Sequence, residues 1–326
     1  MKVLNFNDPY VDRKGDVNNL GDVLSDTSVD LTDYAKKTDI PTTLPANGGN
    51  ADTVNNHTVE TNVPVNAVFT DTVYDDTEVK GSIAELKNDL NASNAGAHNC
   101  VYRGKYLGNA LTTEQKAQIS AGTFNDLYIG DYWTIDGVNY RIASFDYWLN
   151  CGDTPCTKHH VVIVPDTCLY NAKMNDTNIT TGGYVGSQMY TANLENAKTL
   201  VNSAFGSGNI LVHREYLTNA VTDGHPSAGA WLDSTVELPN EIMMYGSHVF
   251  APANDGVTIP SLHTIDKTQL SLMKMYPSLI NSSRENQWLR DVVSAARFAV
   301  VDARGSTNFY DASGSLGVRP VFGITG

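Results

Sequence analysis

An α+β fold is expected for residues 98–326 of this 326-residue chain, and three observations predict it. Asp136-Gly137 sits between two alternating runs, residues 131–135 and 138–143, the pattern of a two-residue hairpin. Val161-Val162-Ile163-Val164 is a continuous apolar run that suits a strand covered on both faces. Helix-period stretches are segregated from the strands instead of alternating with them one for one, which separates α+β from a doubly wound parallel sheet.

Residues 1–80 come first and read differently. They hold few aromatics and many Asp, Asn, Thr and Val, and no helical or strand period persists across them. So polar a stretch cannot alone bury enough apolar surface to offset its ordering entropy, so it is either disordered or ordered by wrapping with copies of itself. Pro64, within residues 62–74, suits an edge strand or a linker. From residue 82 to 94 the pattern turns helical. Ile83, Leu86 and Leu90 fall at a, d and a of a heptad, and Ser82 with Glu85 forms a capping box. That seam is too short to hold a coiled coil unaided. Residues 81–97 are therefore expected to form a short coiled-coil neck held by its flanking domains, or a solitary helix packed on the next domain.

The globular part follows in short elements. Residues 100–108 read as a strand, and residues 112–122 as a helix capped by Thr113 and stopped by Gly122. Leu194, Ala197, Val201 and Ala204 recur at helical spacing within residues 187–205, ended by Gly206, and residues 209–212 read as a strand. A helix is expected over residues 235–245, with Pro239 in it or near its start. Residues 269–280 fit either type.

The closing stretch, residues 281–326, is where function is expected. Trp288, Phe298, Phe322 and their apolar neighbours alternate with turn glycines, giving short strands joined by exposed bends. Among them stand Ser283, Arg284, Glu285, Asn286, Gln287, Arg297, Arg304, Ser306, Thr307, Phe309 and Tyr310. Arg, Tyr, Phe and Asn combine rigid area with adaptable hydrogen bonds, which suits contact with a partner. An ordinary closing sheet of a globular domain fits the same spacing.

The totals narrow the partner. At 18% charged and 41% hydrophobic the composition suits a folded protein, though not an evenly folded one, and the length allows two domains or one domain and an appendage. A formal net charge of -14 repels nucleic acid and anionic bilayers. No apolar run reaches the length of a membrane span. Residues 1–9 lack the apolar core of a signal peptide.

Trp288-Leu289-Arg290, Val300-Val301-Asp302 and Gly317-Val318-Arg319-Pro320-Val321-Phe322 resemble the C-terminus of phage and prophage tail proteins with a C-type-lectin-type fold. The similarity is greatest to the variable proteins of diversity-generating retroelements, the class of the major tropism determinant. Residues 102–105, 129–133 and 159–166 resemble the same family, so the likeness spans roughly residues 98–326. Residues 30–40 and 49–59 are similar to tail-fibre shaft segments. The resemblance implies a homotrimeric receptor-binding adhesin whose shaft joins other tail proteins and whose tip contacts a glycan or protein on a bacterial surface. It implies assembly into a virion in the host cytoplasm, which a chain without a signal peptide fits. It also places the mixed residues at diversified positions and assigns Trp288, Arg290, Gly317, Arg319, Pro320 and Phe322 to the scaffold.

Some residues also suit chemistry instead of binding. Cys151 and Cys156, followed by His159 and His160, leave a zinc site, a disulfide or free thiols open, since the spacing is not that of a closed zinc site. Formylglycine-generating enzymes share the lectin-type fold, but they need late cysteines and none follows Cys168. A tail-borne polysaccharide hydrolase would need two carboxylates across a glycosidic bond, with Glu215, Asp233, Glu237, Glu241 and Asp302 available. Leu238-Pro239-Asn240, preceded by Glu237, departs from the calcium loops of sugar-binding lectins. No catalytic residue, cofactor or metal is therefore assigned, and a structural ion stays open. A purely structural tail component is the remaining alternative.

Overall fold

A computed structural model describes residues 75–89, 95–251 and 268–326 in full, and residues 90–91 and four short strands nearer the N-terminus by their backbone. Contacts divide the chain into two units, residues 1–75 and 76–326. In the first unit, β1 (Pro9–Val11) pairs antiparallel with β2 (Val17–Asn19), and β3 (Thr53–Val54) with β4 (His57–Thr58). The shaft-like segments at residues 30–40 and 62–74 lie outside the described residues, as does most of residues 49–59.

The second unit is mixed α+β and mostly sheet. It opens with α1 (Thr77–Asn91), which starts earlier than Ser82. Lys80 donates its backbone N–H to Asp76 at 2.8 Å and its ammonium pairs with the Asp76 carboxylate, so Ser82 lies inside the helix and is not its cap. Ile83 and Leu86 are 60% and 62% exposed, so neither is packed on the rest of the unit; the Leu90 side chain lies outside the described residues. After the one-turn α2 (Ala95–His98) the chain enters β5 (Tyr106–Gly108), far shorter than the strand expected over residues 100–108. Tyr102 makes only a single bridge, to Ile129. Then comes α3 (Thr113–Ala121), where the cap is Thr112 and not Thr113. Its hydroxyl accepts from Gln115 N–H while the Gln115 side chain accepts from Thr112 N–H, and Gly122 ends the helix.

Strands β6 (Tyr132–Ile135) and β7 (Val138–Phe145) form the expected hairpin, with Asp136 and Gly137 both at positive φ. Next comes β8 (Val161–Pro165), buried along its whole length, so the apolar run is a central strand as expected. Antiparallel pairing of β6, β7, β8, β17 (Val321–Ile324) and β12 (Val236–Glu237), with β5 parallel to β6, gives a six-stranded sheet in the order β12-β17-β8-β7-β6-β5. The second sheet has the order β15-β14-β13-β16-β9. Its strands are β9 (Tyr170–Lys173), β13 (Gln287–Ser294), β14 (Arg297–Val301), β15 (Thr307–Asp311) and β16 (Ser315–Val318). A separate ten-residue hairpin pairs β10 (His213–Thr222) with β11 (His225–Ser234).

Helix α4 (Leu194–Phe205) continues from one wide turn at Met189–Asn193 and buries Leu194, Ala197, Val201 and Phe205. The strand expected over residues 209–212 is only a bridge from Ile210 to Ile324. Residues 235–245 split at Pro239 into β12 and α5 (Glu241–Tyr245), because Asn240 caps the helix by accepting from Met243 N–H. Residues 269–280 hold α6 (Ser271–Met275) and a 3₁₀ turn, Pro277–Asn281. Trp133, Trp148, Trp288, Phe298 and Phe322 fill the core.

Candidate binding loops and the buried polar centre

Strand pairing brings two loops together at one end of the five-stranded sheet. Gln287 stands opposite Val301 in the β13–β14 register, and Val301 opposite Thr307 in β14–β15. Residues 281–286, which lead into β13, therefore lie beside the turn at residues 302–306. Asn281 holds them there: its amide donates to the Asp302 carbonyl at 2.6 Å and to the Glu285 carbonyl at 2.8 Å. From the same loop as Asn281, Asn286 accepts from the N–H of Ala303 in the facing turn at 2.9 Å. The Asp302 carboxylate closes its own turn, accepting from Arg304 N–H at 2.8 Å and Ser306 N–H at 3.0 Å. With their backbone groups taken up this way, both loops are fixed from beneath.

Six of the expected contact residues meet here. Arg284, Glu285, Arg304 and Ser306 are exposed, and Ser283 and Asn286 are half-buried. Arg284 adopts φ 57°, a left-handed conformation that costs a non-glycine residue about 1 kcal/mol or more and turns its side chain out of the loop. Gln287 does not join them. It is buried, donating to Asn281 and accepting from Arg319 at 3.4 Å, because it is already the first residue of β13.

The other expected residues are divided by strand alternation. Arg297, Thr307 and Phe309 share one face of β14–β15, and Tyr310 lies on the opposite face. On the first face, Arg297 sits 5.1 Å over the Phe309 ring and pairs with Asp311, and Phe309 packs edge-on against Phe250. Thr307 donates to the buried Glu241. Across the sheet, Tyr310 is 45% exposed and meets Trp288 edge-on. The eleven residues thus form no single face; they comprise the tied loops and two flanks.

Beneath the loops the six scaffold residues are buried. Arg319 holds three backbone carbonyls, those of Pro165, Ile280 and Leu279, at 2.6, 2.7 and 3.0 Å. Burial pushes its guanidinium down to about 10. Arg290 is buried against Glu215, which also accepts from His213. Burial raises the Glu215 carboxyl, but Arg290 and His213 outweigh it and bring it down to about 2. Glu237, hydrogen-bonded by Tyr184 and Ser234, is pushed up to about 7 by burial and by Glu215.

Each of the candidate carboxylates has a partner within the protein. Glu241 is buried and accepts the N–H groups of Val249, Phe250 and Ala251. Asp302 closes a turn, and Asp233 pairs with Arg214 at the rim of a groove of about 350 Å³. Cys151 and Cys156 are not joined by a disulfide, and each thiol is turned toward a backbone carbonyl. His159 pairs with Asp146, and His160 bonds Trp148 N–H and the Lys158 carbonyl. Among the described residues no three His, Cys, Asp or Glu side chains converge as a metal site. The roles of Asn281 and Glu241 are not legible in the sequence, since a single side chain bridging two segments leaves no periodic trace. No protein-family model, curated protein or solved structure matches the chain.

Proposed function

We propose that this protein is a phage tail-fibre adhesin whose C-terminal unit, of C-type-lectin type, binds a bacterial surface ligand without chemistry. The observation that carries the reading is the pair of loops tied through Asn281, Asn286 and Asp302. A stiff base holds Arg284, Glu285 and Arg304 outward, so little side-chain and loop order is left to impose on binding. The resemblance of the terminal stretch to retroelement variable proteins supports it independently. The exposed stripe on α1, Val79, Ile83 and Leu86 at i, i+4 and i+7, supports a trimeric coiled-coil neck, since a helix this short is marginal alone. Residues 1–75 are the segment that joins other tail proteins in the virion. Several copies then multiply a modest single-site affinity.

The test is retention of the labelled chain by intact cells across a panel of bacterial isolates. Selective retention on a subset of isolates is expected. Release of reducing ends from envelope glycans would instead favour a hydrolase, and uniform non-retention a structural tail component. Sedimentation equilibrium checks the trimer.

A further inference from the structure

Eight arginines lie among the described residues, and six of them are held by the protein's own groups. Arg103, Arg141, Arg214, Arg290 and Arg297 each pair with a carboxylate. Arg319 holds three backbone carbonyls. Arg284 and Arg304 are the remaining two. Both are exposed, with no ion pair or side-chain hydrogen bond, and both stand on the tied loops. Acidic residues outnumber Lys and Arg by 36 to 22, so a carboxylate is the partner most readily found in this chain.

The build of the loops accounts for the exception. Residues 281–286 and 302–306 carry two carboxylates, Glu285 and Asp302. Asp302 accepts from the N–H groups of Arg304 and Ser306, and Glu285 reaches back to the Cys168 thiol. The left-handed backbone at Arg284 turns its side chain away from both. The acids thus face donors of the protein while the guanidiniums face solvent. The two segments also hold no large exposed apolar side chain, so charge and hydrogen bonds are what they offer a ligand. Lys87, Lys116, Lys158 and Lys274 lack an ion pair as well, but an ammonium is a compact, strongly hydrated charge. A guanidinium is weakly hydrated and presents a rigid fork of donors that matches a carboxylate or a phosphate. The formal charge of -14 repels a long polyanion, which leaves a single anionic group as the better fit.

We infer that Arg284 and Arg304 form a subsite for one oxyanion, a carboxylate or phosphate group of the bacterial ligand. The ligand's source rests on the adhesin reading; the anion preference is tested without cells. The full chain is titrated with galacturonate and with glycerol phosphate, and with galactose and glycerol as their neutral counterparts. Binding is followed by NMR at the arginine Nε–H groups and at the backbone amides of residues 283–286 and 303–306. At least one anion gives saturable shifts there and neither neutral compound does, and the anion that binds tells carboxylate from phosphate. Arg284→Gln/Arg304→Gln loses about tenfold or more in affinity, read at the amides. Arg297→Gln stays within about threefold, since Arg297 already holds Asp311. Melting curves establish that the variants are folded. The inference is overturned if neither anion binds, if a neutral counterpart binds as well as its anion, or if Arg297→Gln costs as much as the double variant. Cell retention separates this failure from that of the adhesin reading. Isolates that retain wild type and the double variant equally overturn the subsite alone, whereas anion binding by a chain that no isolate retains supports the subsite and overturns the adhesin.

Discussion

The side-chain amide of Asn281 donates to the backbone carbonyl of Asp302, 2.6 Å away across the mouth of the five-stranded sheet. With its second bond to Glu285 and the Asn286–Ala303 contact, this residue makes one object of two loops. Asn281→Ala removes both donors and leaves two carbonyls to find water. The expected cost is about 1–3 kcal/mol. For a folded unit of this size that is a melting temperature lower by roughly 2–4 °C per kcal/mol. Amide exchange at residues 283–286 and 303–306 should accelerate more than exchange in β14. Uniform acceleration would mean that Asn281 supports the whole sheet and not the loops.

Arg319 poses a different kind of dependence. Its buried fork serves three carbonyls from two segments, so Arg319→Met orphans all three at once. A loss of about 3–5 kcal/mol is expected in urea unfolding. Arg319→Lys restores charge but not the planar fork, and should recover less than half of the loss.

Two buried groups pull stability in opposite directions with pH. Glu237 is held to about 7 by burial and by Glu215, whereas an unfolded chain releases that proton near 4.5. Its contribution is full below the unfolded value and is lost as pH rises through 7. His160 is pushed down to about 4 by burial, with Nδ1 donating to Lys158 and Nε2 accepting from Trp148. Its contribution is present above about 6.5 and is lost as pH falls toward 4. Glu237→Gln should therefore raise stability at pH 8 by about 1–3 kcal/mol and leave pH 4 nearly unchanged. Denaturant midpoints at the two pH values check this, and equal shifts at both would contradict it.

Elements whose signal is local were legible in the sequence. Asp136-Gly137 declares its hairpin, and the apolar run at residues 161–164 its central strand, because a two-residue turn and double burial each leave a mark in adjacent residues. Asp223-Gly224 is the same turn, with both residues at positive φ, and it joins the longest hairpin; its flanks mix Asn, Thr, Glu and Arg with apolar residues, which hid the alternation. Other features depend on long-range pairing and were not legible. Arg297, Phe309 and Tyr310 look equivalent by composition, but β15 is a strand, so the last two face opposite ways. Gln287 belongs to β13 and is buried by a register that no neighbouring residue announces. Helix α1 starts at Thr77 and not at Ser82 because the Asp76 carbonyl already accepts from Lys80 N–H, before the heptad pattern begins.

The central claim is that the tied loops, and not the flanks of the sheet, make the contact with a bacterial surface. The most direct measurement compares retention by a cell isolate that binds the wild-type chain for two variants, Arg284→Ala/Glu285→Ala/Arg304→Ala and Phe309→Ala/Tyr310→Ala. The loop variant should lose about tenfold or more in affinity with its melting temperature within about 2 °C of wild type, since all three side chains are exposed and only Glu285 reaches back into the fold, to the Cys168 thiol. The flank variant should bind within about threefold of wild type and lose stability instead. Undiminished binding by the loop variant, with loss confined to the flank variant, would contradict the account.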